Sequence, residues 1–171
     1  MILKQIKTVE NGCSANNFQA KFGTPFAVVG VRTEDEWLVD IDYLPLDTSE
    51  LMPQNALASE VCNQLQEYLR YPDYEFDLSL HIRGTPFQQR VWQAIKAIPC
   101  GQTNSYADIA KQLHSSPRAV GGACGANNLP IVIPCHRVIT KNGGLGGFMN
   151  ASDGQPIKIK RWLLHHEGAY E

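Results

Sequence analysis

No run of about 18 apolar residues occurs in this chain, so no segment is expected to span a bilayer. The opening Met1-Ile2-Leu3-Lys4-Gln5 lacks the pattern of a secretory signal, and a cytoplasmic location is expected. Cysteine is sparse. The five thiols, at positions 13, 62, 100, 124 and 135, are odd in number and form no C-x-x-C pair. That argues against a disulfide framework or a zinc site and for reduced thiols. His165 and His166 are adjacent rather than spaced as H-x-x-x-H, so no metal is expected there. The glycine-rich NGGLGG at 142–147 lacks the Lys-Ser/Thr of a phosphate loop and reads as a flexible loop over a substrate. There is no internal repeat and no low-complexity tract, and nothing calls for a cofactor.

What remains is ample for a folded protein. With 171 residues and 43% apolar content, the chain can hold one or two small domains with a core. Residues 1–80 carry 5 Lys/Arg against 13 Asp/Glu, a balance of −8. Residues 81–171 carry 10 against 4, a balance of +6. An acidic half followed by a basic half suggests two modules, the second facing an anion; ordinary surface variation is the plainer alternative. The expected boundary lies between 1–83 and 84–171. In the first part, Phe18, Ala20 and Phe22 alternate with polar residues, and FAVVGV (26–31) and WLVDIDY (37–43) flank a polar turn. This predicts an antiparallel meander. Leu57, Val61, Leu65 and Leu69 predict a helix that stops near Pro72, before an alternating segment with Tyr74, Phe76, Leu78, Leu80 and Ile82. No catalytic pattern occurs here, and Cys13 and Cys62 read as packing or surface residues.

The character changes at Gly84-Thr85. Thr85, Pro86 and Gln88 form a capping box with a first-turn proline, and Phe87, Val91, Ile95 and Ile98 follow on one helical face. Ser105 and Ser116-Pro117 cap two further short helices separated by a tight polar turn, a pattern shared by helix-turn-helix units and ordinary helical hairpins. The last of these helices is unusual. After Arg118 come Ala119, Val120, Gly121, Gly122, Ala123, Cys124, Gly125 and Ala126. Base-reading side chains are missing, while each interior glycine costs roughly 1 kcal/mol. A helix without side-chain bulk suits close approach to a DNA groove with little sequence preference, or tight helix packing. Arg118 could meet phosphate or enter the base stack, or could be a plain surface arginine.

Ile-Pro-Cys occurs twice. Cys100 has no His, Glu or Asp within five residues and reads as a turn cysteine. Cys135 follows the apolar Ile131-Val132-Ile133 and precedes His136 and Arg137. A thiolate is the nucleophilic form of cysteine, and a base or nearby positive charge generates it near neutral pH. In an extended segment neighbouring side chains diverge, so His136 would act through a bridging water rather than directly. Glu167, in the last turn before Gly168, opposes the helix dipole by roughly 0.3–1 kcal/mol, which suggests pairing elsewhere. His136 is a natural partner for it.

The segments IPCHRVI, with an asparagine eight residues before the cysteine, SYADIA, PRAVGGA and LLHHEG resemble the O6-alkylguanine-DNA alkyltransferases over roughly residues 84–168. The resemblance implies an α+β N-terminal domain, ribonuclease-H-like with antiparallel strands and a helix, and a mainly helical C-terminal domain with a helix-turn-helix. It implies DNA repair by direct reversal, in which the alkyl group of O6-alkylguanine, and of O4-alkylthymine, moves irreversibly to Cys135. His136 would take the thiol proton through a water, and Glu167 would hold the imidazole. Asn127 would brace the turn before the acceptor, and Tyr106 would contact the flipped base. Arg118 would fill the gap that base leaves. Ala119, Gly122 and Ala126 would lie in the minor groove, with Arg137 also at the DNA. Pro130, Val138, Phe148 and Met149 would line the substrate pocket. The implied partner is double-stranded DNA, met by a monomer without cofactor, metal or obligate protein partner. The zinc domain of the adaptive-response regulators has no counterpart here. Residues 148–156 depart from the family, with Phe148 in place of a tyrosine and several extra residues, and are expected to be mobile without DNA. Alternatives are an alkyltransferase-like or helix-turn-helix DNA-binding protein without chemistry, and a cysteine hydrolase.

Overall fold

The computed structural model describes residues 17–171; Cys13 and residues 1–5 lie outside them. The chain divides into two compact units, Met1–Arg83 and Gly84–Glu171. Within the first, a small antiparallel sheet has the order β1 (Ala20–Gly23), β2 (Val28–Glu34), β3 (Trp37–Leu44). The turn between β2 and β3 is closed by Asp35 in left-handed backbone, and a register shift at Arg32/Thr33 kinks β2. One helix, α1 (Ala56–Arg70), packs on this sheet. Asn55 caps it by accepting from the Ala58 N–H, while the same side chain donates to Thr33 Oγ1 at 2.9 Å.

The buried face of α1 is Ala58, Val61, Gln64, Leu65 and Tyr68. It is rotated from the expected line, and Leu57 and Leu69 are only half-buried. The rotation lets Gln64 bond both polar backbone atoms of Asp77, its Nε2 donating to Asp77 O at 3.1 Å and its Oε1 accepting from Asp77 N–H at 2.9 Å. The alternating segment 74–82 does bury Leu78, Leu80 and Ile82, and it joins the sheet by a bridge between Leu38 and Leu80 rather than as a full strand. The bonds there are Leu38 N–H to Ser79 O and His81 N–H to Leu38 O, both 2.9 Å.

The second unit is built from α2 (Pro86–Lys96), α3 (Tyr106–Gln112), α4 (Pro117–Gly125) and α5 (Gly154–His166), with a parallel two-residue pair, β4 (Asn104–Ser105) and β5 (Val138–Ile139). The local signals explain the starts. Thr85 and Gln88 form the reciprocal capping box, and Ser105 and Ser116 accept from Asp108 N–H and Ala119 N–H. The C-terminal end of α4 is secured differently. Its last carbonyls have no partner within the helix. Buried Trp92 of α2 donates Nε1–H to Ala123 O at 2.8 Å, fixing α4 against α2. No helix among the described residues is long and apolar enough to cross a membrane.

Because that indole is the donor for a buried carbonyl, Trp92→Phe should lower the unfolding free energy by about 1–3 kcal/mol, the cost of an unsatisfied buried acceptor. Urea denaturation measures it. A loss well below 1 kcal/mol would show that α4 is held by other contacts.

Candidate active site

Cys135 lies just beyond α4. The chain leaves the helix at Ala126, and Asn127 then organises the return. Its Nδ2 donates to Ile133 O at 2.8 Å, and its Oδ1 accepts from Leu129 N–H at 3.0 Å. That closes the loop which brings Cys135 back to the helix end. The same Nδ2 also faces Cys135 Sγ at 3.2 Å. Cys135–Arg137 is one 3-10 turn, closed by Arg137 N–H to Pro134 O at 2.9 Å. The turn replaces the extended segment expected from the sequence. Pro134, which has no N–H to give to a strand, begins it.

His136 is fully buried, and its Nε2 lies 2.8 Å from Glu167 Oε1. The Glu167 side chain has no exposed surface. Burial alone would raise its carboxyl, but hydrogen bonds from His136 and Arg137 overcome this and bring it down to about 2. An ionised carboxylate only accepts, so Nε2 carries the proton. Burial lowers the imidazole below its usual value and outweighs the pull of Glu167, so the ring is neutral near pH 7. Its other nitrogen, Nδ1, is then a free lone pair, buried and without a hydrogen-bond partner. This is a base without a proton, one residue from a thiol.

The thiol itself is protonated at rest. Cys135 is 2% exposed, and burial pushes its pKa up more than Asn127 and the Lys160 charge pull it down. The low-dielectric site favours the neutral thiol, so the thiolate must be made as it reacts, which is the task the sequence reading gives to His136.

Lys160 is a residue the sequence reading missed. Its ammonium, 0% exposed, donates to Val138 O and Leu145 O at 2.6 Å, to Gly147 O at 3.0 Å and to Tyr106 Oη at 3.2 Å. Burial lowers its pKa to about 8. Its sign in the sequence is a lysine on the apolar face of α5, beside Ile159 and one turn before Leu163 and Leu164. Through it the glycine-rich loop, expected to be flexible, is fastened at two carbonyls. Tyr106 donates to Gly147 O at 3.0 Å, and Gly146, at φ +67°, leaves room for its ring.

These groups surround a cavity of about 610 Å³ whose lining includes Tyr106, Cys124, Cys135, Phe148 and Met149. One structure resembles the chain almost throughout. The crystal structure of Mycobacterium tuberculosis OGT in complex with DNA is 36% identical, covers 87% of this chain and 91% of that one, and superimposes with a TM-score of 0.72. The chain belongs to the O6-methylguanine-DNA methyltransferase family. Residues 86–169 match the family model described as 6-O-methylguanine DNA methyltransferase, DNA binding domain. The constitutive methylated-DNA–protein-cysteine methyltransferase of Bacillus subtilis is 49% identical over 64% of this chain and 65% of that protein. The Salmonella typhimurium methylated-DNA–protein-cysteine methyltransferase is 53% identical over 50% of this chain and 48% of that protein. The matches thus span from 48% to 65% of the length of these curated relatives.

Several residues expected from the family resemblance lie elsewhere than anticipated. Arg137 does not face outward to DNA. It donates twice to Glu167, Nε to Oε2 at 2.8 Å and Nη2 to Oε1 at 3.0 Å, and once to Ile98 O at 2.6 Å, because a buried carboxylate needs a compensating cation. Val138 is fully buried in β5, and Pro130 is buried in a bridge to Ile133; neither lines the cavity. Phe148 and Met149 do line it. The stretch after Phe148 is a tight turn, with Phe148 and Ala151 exchanging backbone bonds of 2.8 and 3.0 Å. Arg118, Ala119, Gly122 and Ala126 are exposed on α4. Cys100 is half-buried in the turn after α2.

Glu167 and His136 both bind protons less readily folded than unfolded, so acid favours unfolding. Stability should fall as the pH drops below 6.5, where unfolded histidine charges. It should fall further from about 4.5 to about 2, where unfolded and then folded Glu167 protonates. Glu167→Gln should lose about 3–5 kcal/mol near neutral pH, since Arg137 is left buried without its charge partner, and should flatten the limb below 4.5. Urea unfolding between pH 3 and 8 tests this. An acid limb as steep as in the unsubstituted protein would assign it to other carboxylates.

Proposed function

We propose that this protein repairs alkylated DNA by direct reversal, transferring the alkyl group of O6-alkylguanine, and of O4-alkylthymine, to its own Cys135. The observation that carries the reading is the unpartnered, buried Nδ1 of a neutral His136 beside a protonated acceptor thiol. Glu167 fixes the tautomer. His136 takes the thiol proton at Nδ1 through a bridging water, and Asn127 Nδ2 and the Lys160 charge stabilise the thiolate as it forms. Sulfur attacks the alkyl carbon, the carbon–O6 bond breaks, and its electrons go to the base. Tyr106, freed from Gly147 O, donates a proton to the departing guanine, while Lys160 supports its oxygen. The product is a thioether, which does not hydrolyse, so each molecule acts once.

A base modified at O6 is out of reach inside a duplex and must be flipped into the cavity. In this reading α3 and α4 form a helix-turn-helix, the exposed small residues of α4 lie in the minor groove, and Arg118 fills the space the base leaves. Beyond the backbone of the helix itself, no described residue comes within 4 Å of where a Cβ would stand on Gly121 or Gly122, which supports such an approach. The two units act as two domains, the first ribonuclease-H-like. A cytoplasmic location belongs to the same reading and is supported by an acceptor that must remain a reduced thiol to react.

Incubation with duplex DNA containing O6-methylguanine should add one methyl group per molecule, on the peptide with Cys135, by intact-protein and peptide mass measurement. Cys135→Ala should abolish transfer and leave DNA binding largely intact, since phosphate contacts dominate affinity. Cys100→Ala should keep full transfer. Turnover beyond one equivalent, or methyl on Cys100, overturns the reading; DNA binding with no transfer would favour a lesion-binding protein. Separately, Arg118→Ala should slow repair of duplex DNA far more than reaction with a free alkylguanine base. Equal losses on both substrates would remove its role in base extrusion.

A further inference from the structure

The turn at 148–151 has a feature the proposed chemistry does not use. Its two tip residues, Met149 and Asn150, are both left-handed, at φ +51° and +60°. This is the geometry of a two-residue hairpin that ordinarily takes Asn-Gly. Asn150 tolerates this conformation, but Met149 is strained there by roughly 1–2 kcal/mol, so the surroundings must hold the turn. Besides the Phe148–Ala151 backbone bonds, one side chain does so. Asn150 Nδ2 donates to Gly125 O at 3.0 Å, satisfying one of the open carbonyls at the end of α4. Gly125 is shaped for this contact. A Cβ there would stand 2.0 Å from Asn150 Oδ1 and 2.8 Å from its Cγ, so only glycine lets the carboxamide lie against the helix.

The bond joins two walls of one cavity. Gly121, Cys124 and Gly125 line it from α4, and residues 148–152 line it from the turn, with Cys135 in the same lining. We infer that the Asn150–Gly125 contact is a latch that sets the width of the alkyl-accepting slot and so discriminates against bulky O6 substituents. The inference rests on the proposed alkyl transfer and adds to it a specificity-determining pair. Asn150 is a positioning residue: it acts by holding Phe148 and Met149 at a fixed distance from α4. Released, the turn can retreat from its strained conformation and admit a larger group, whereas a methyl group needs no such room.

The test approaches the latch from both sides. Asn150→Gly keeps a residue suited to positive φ but removes the carboxamide. Gly125→Ala leaves the turn untouched but displaces the carboxamide from the helix. Single-turnover rates are measured on duplexes carrying O6-methylguanine or O6-benzylguanine, and the benzyl-to-methyl ratio cancels changes in DNA affinity. Each variant should raise that ratio by about 2- to 10-fold, the range that loss of one hydrogen bond covers. The double variant should raise it no further than the larger single effect, because both remove the same contact. A ratio unchanged in either single variant overturns the inference, even if the melting temperature drops; Asn150 is then only a helix cap. Independent, multiplying effects overturn it as well. If the unsubstituted protein transfers neither group, the alkyl-transfer reading itself fails, and this inference with it.

Discussion

A carboxylate with no exposed surface keeps its charge only when donors surround it, and the site depends on how Glu167 meets that demand. Three hydrogen bonds converge on its two oxygens, from His136 Nε2 and from Arg137 Nε and Nη2. Arg137 supplies the compensating charge, which leaves His136 free to stay neutral. Were Arg137 absent, the imidazole would be drawn toward the charged form and would lose its acceptor lone pair. Glu167 thereby determines which histidine nitrogen bears a proton, and it does so from the last residue of the helical segment. The dipole penalty at that position is small beside the charge-assisted bonds it makes.

Acceptor and lysine stand in complementary states. Burial favours neutral Cys135 and lowers Lys160, yet each shifts the other toward charge: a thiolate raises Lys160, and the ammonium lowers the thiol. The charged pair is thus available once a proton leaves the sulfur. The same ammonium ties the segment after the acceptor to the glycine-rich loop and to Tyr106. The geometry of the cavity wall and the electrostatics of the thiol therefore share one group.

What could be read from the sequence was what chemistry encodes locally. Thr85 with Gln88, and Ser105 and Ser116, announce helix starts within four residues, and the structure places the starts there. The meander was legible because alternation and a polar turn are short-range patterns. The His136–Glu167 pair was legible as an acid set against its helix dipole, whereas the place of Asn127 beside Cys135 came from the family resemblance. Arg137 was misplaced because an arginine next to a reactive cysteine in a DNA-binding chain reads naturally as a phosphate contact; only the buried Glu167 gives it another task. Lys160 was missed because a lysine in a helical segment reads as solvated, and only its place beside Ile159 and one turn before Leu163 and Leu164 marks it as buried. The segment 74–82 shows the limit of alternation, which records burial on one side but not whether a strand partner exists.

At Gly121 and Gly122 of α4 an added methyl group would meet none of the described residues beyond the helix's own backbone. Gly125, on the same helix, would collide with Asn150. Helix propensity alone favours alanine at all three. Selection for thermal resistance would therefore drive alanine into the first two positions unopposed, and would meet internal resistance only at the third. No described residue outside the helix requires Gly121 and Gly122 to be small, so under the proposed function the constraint on them would come from the groove that the helix enters.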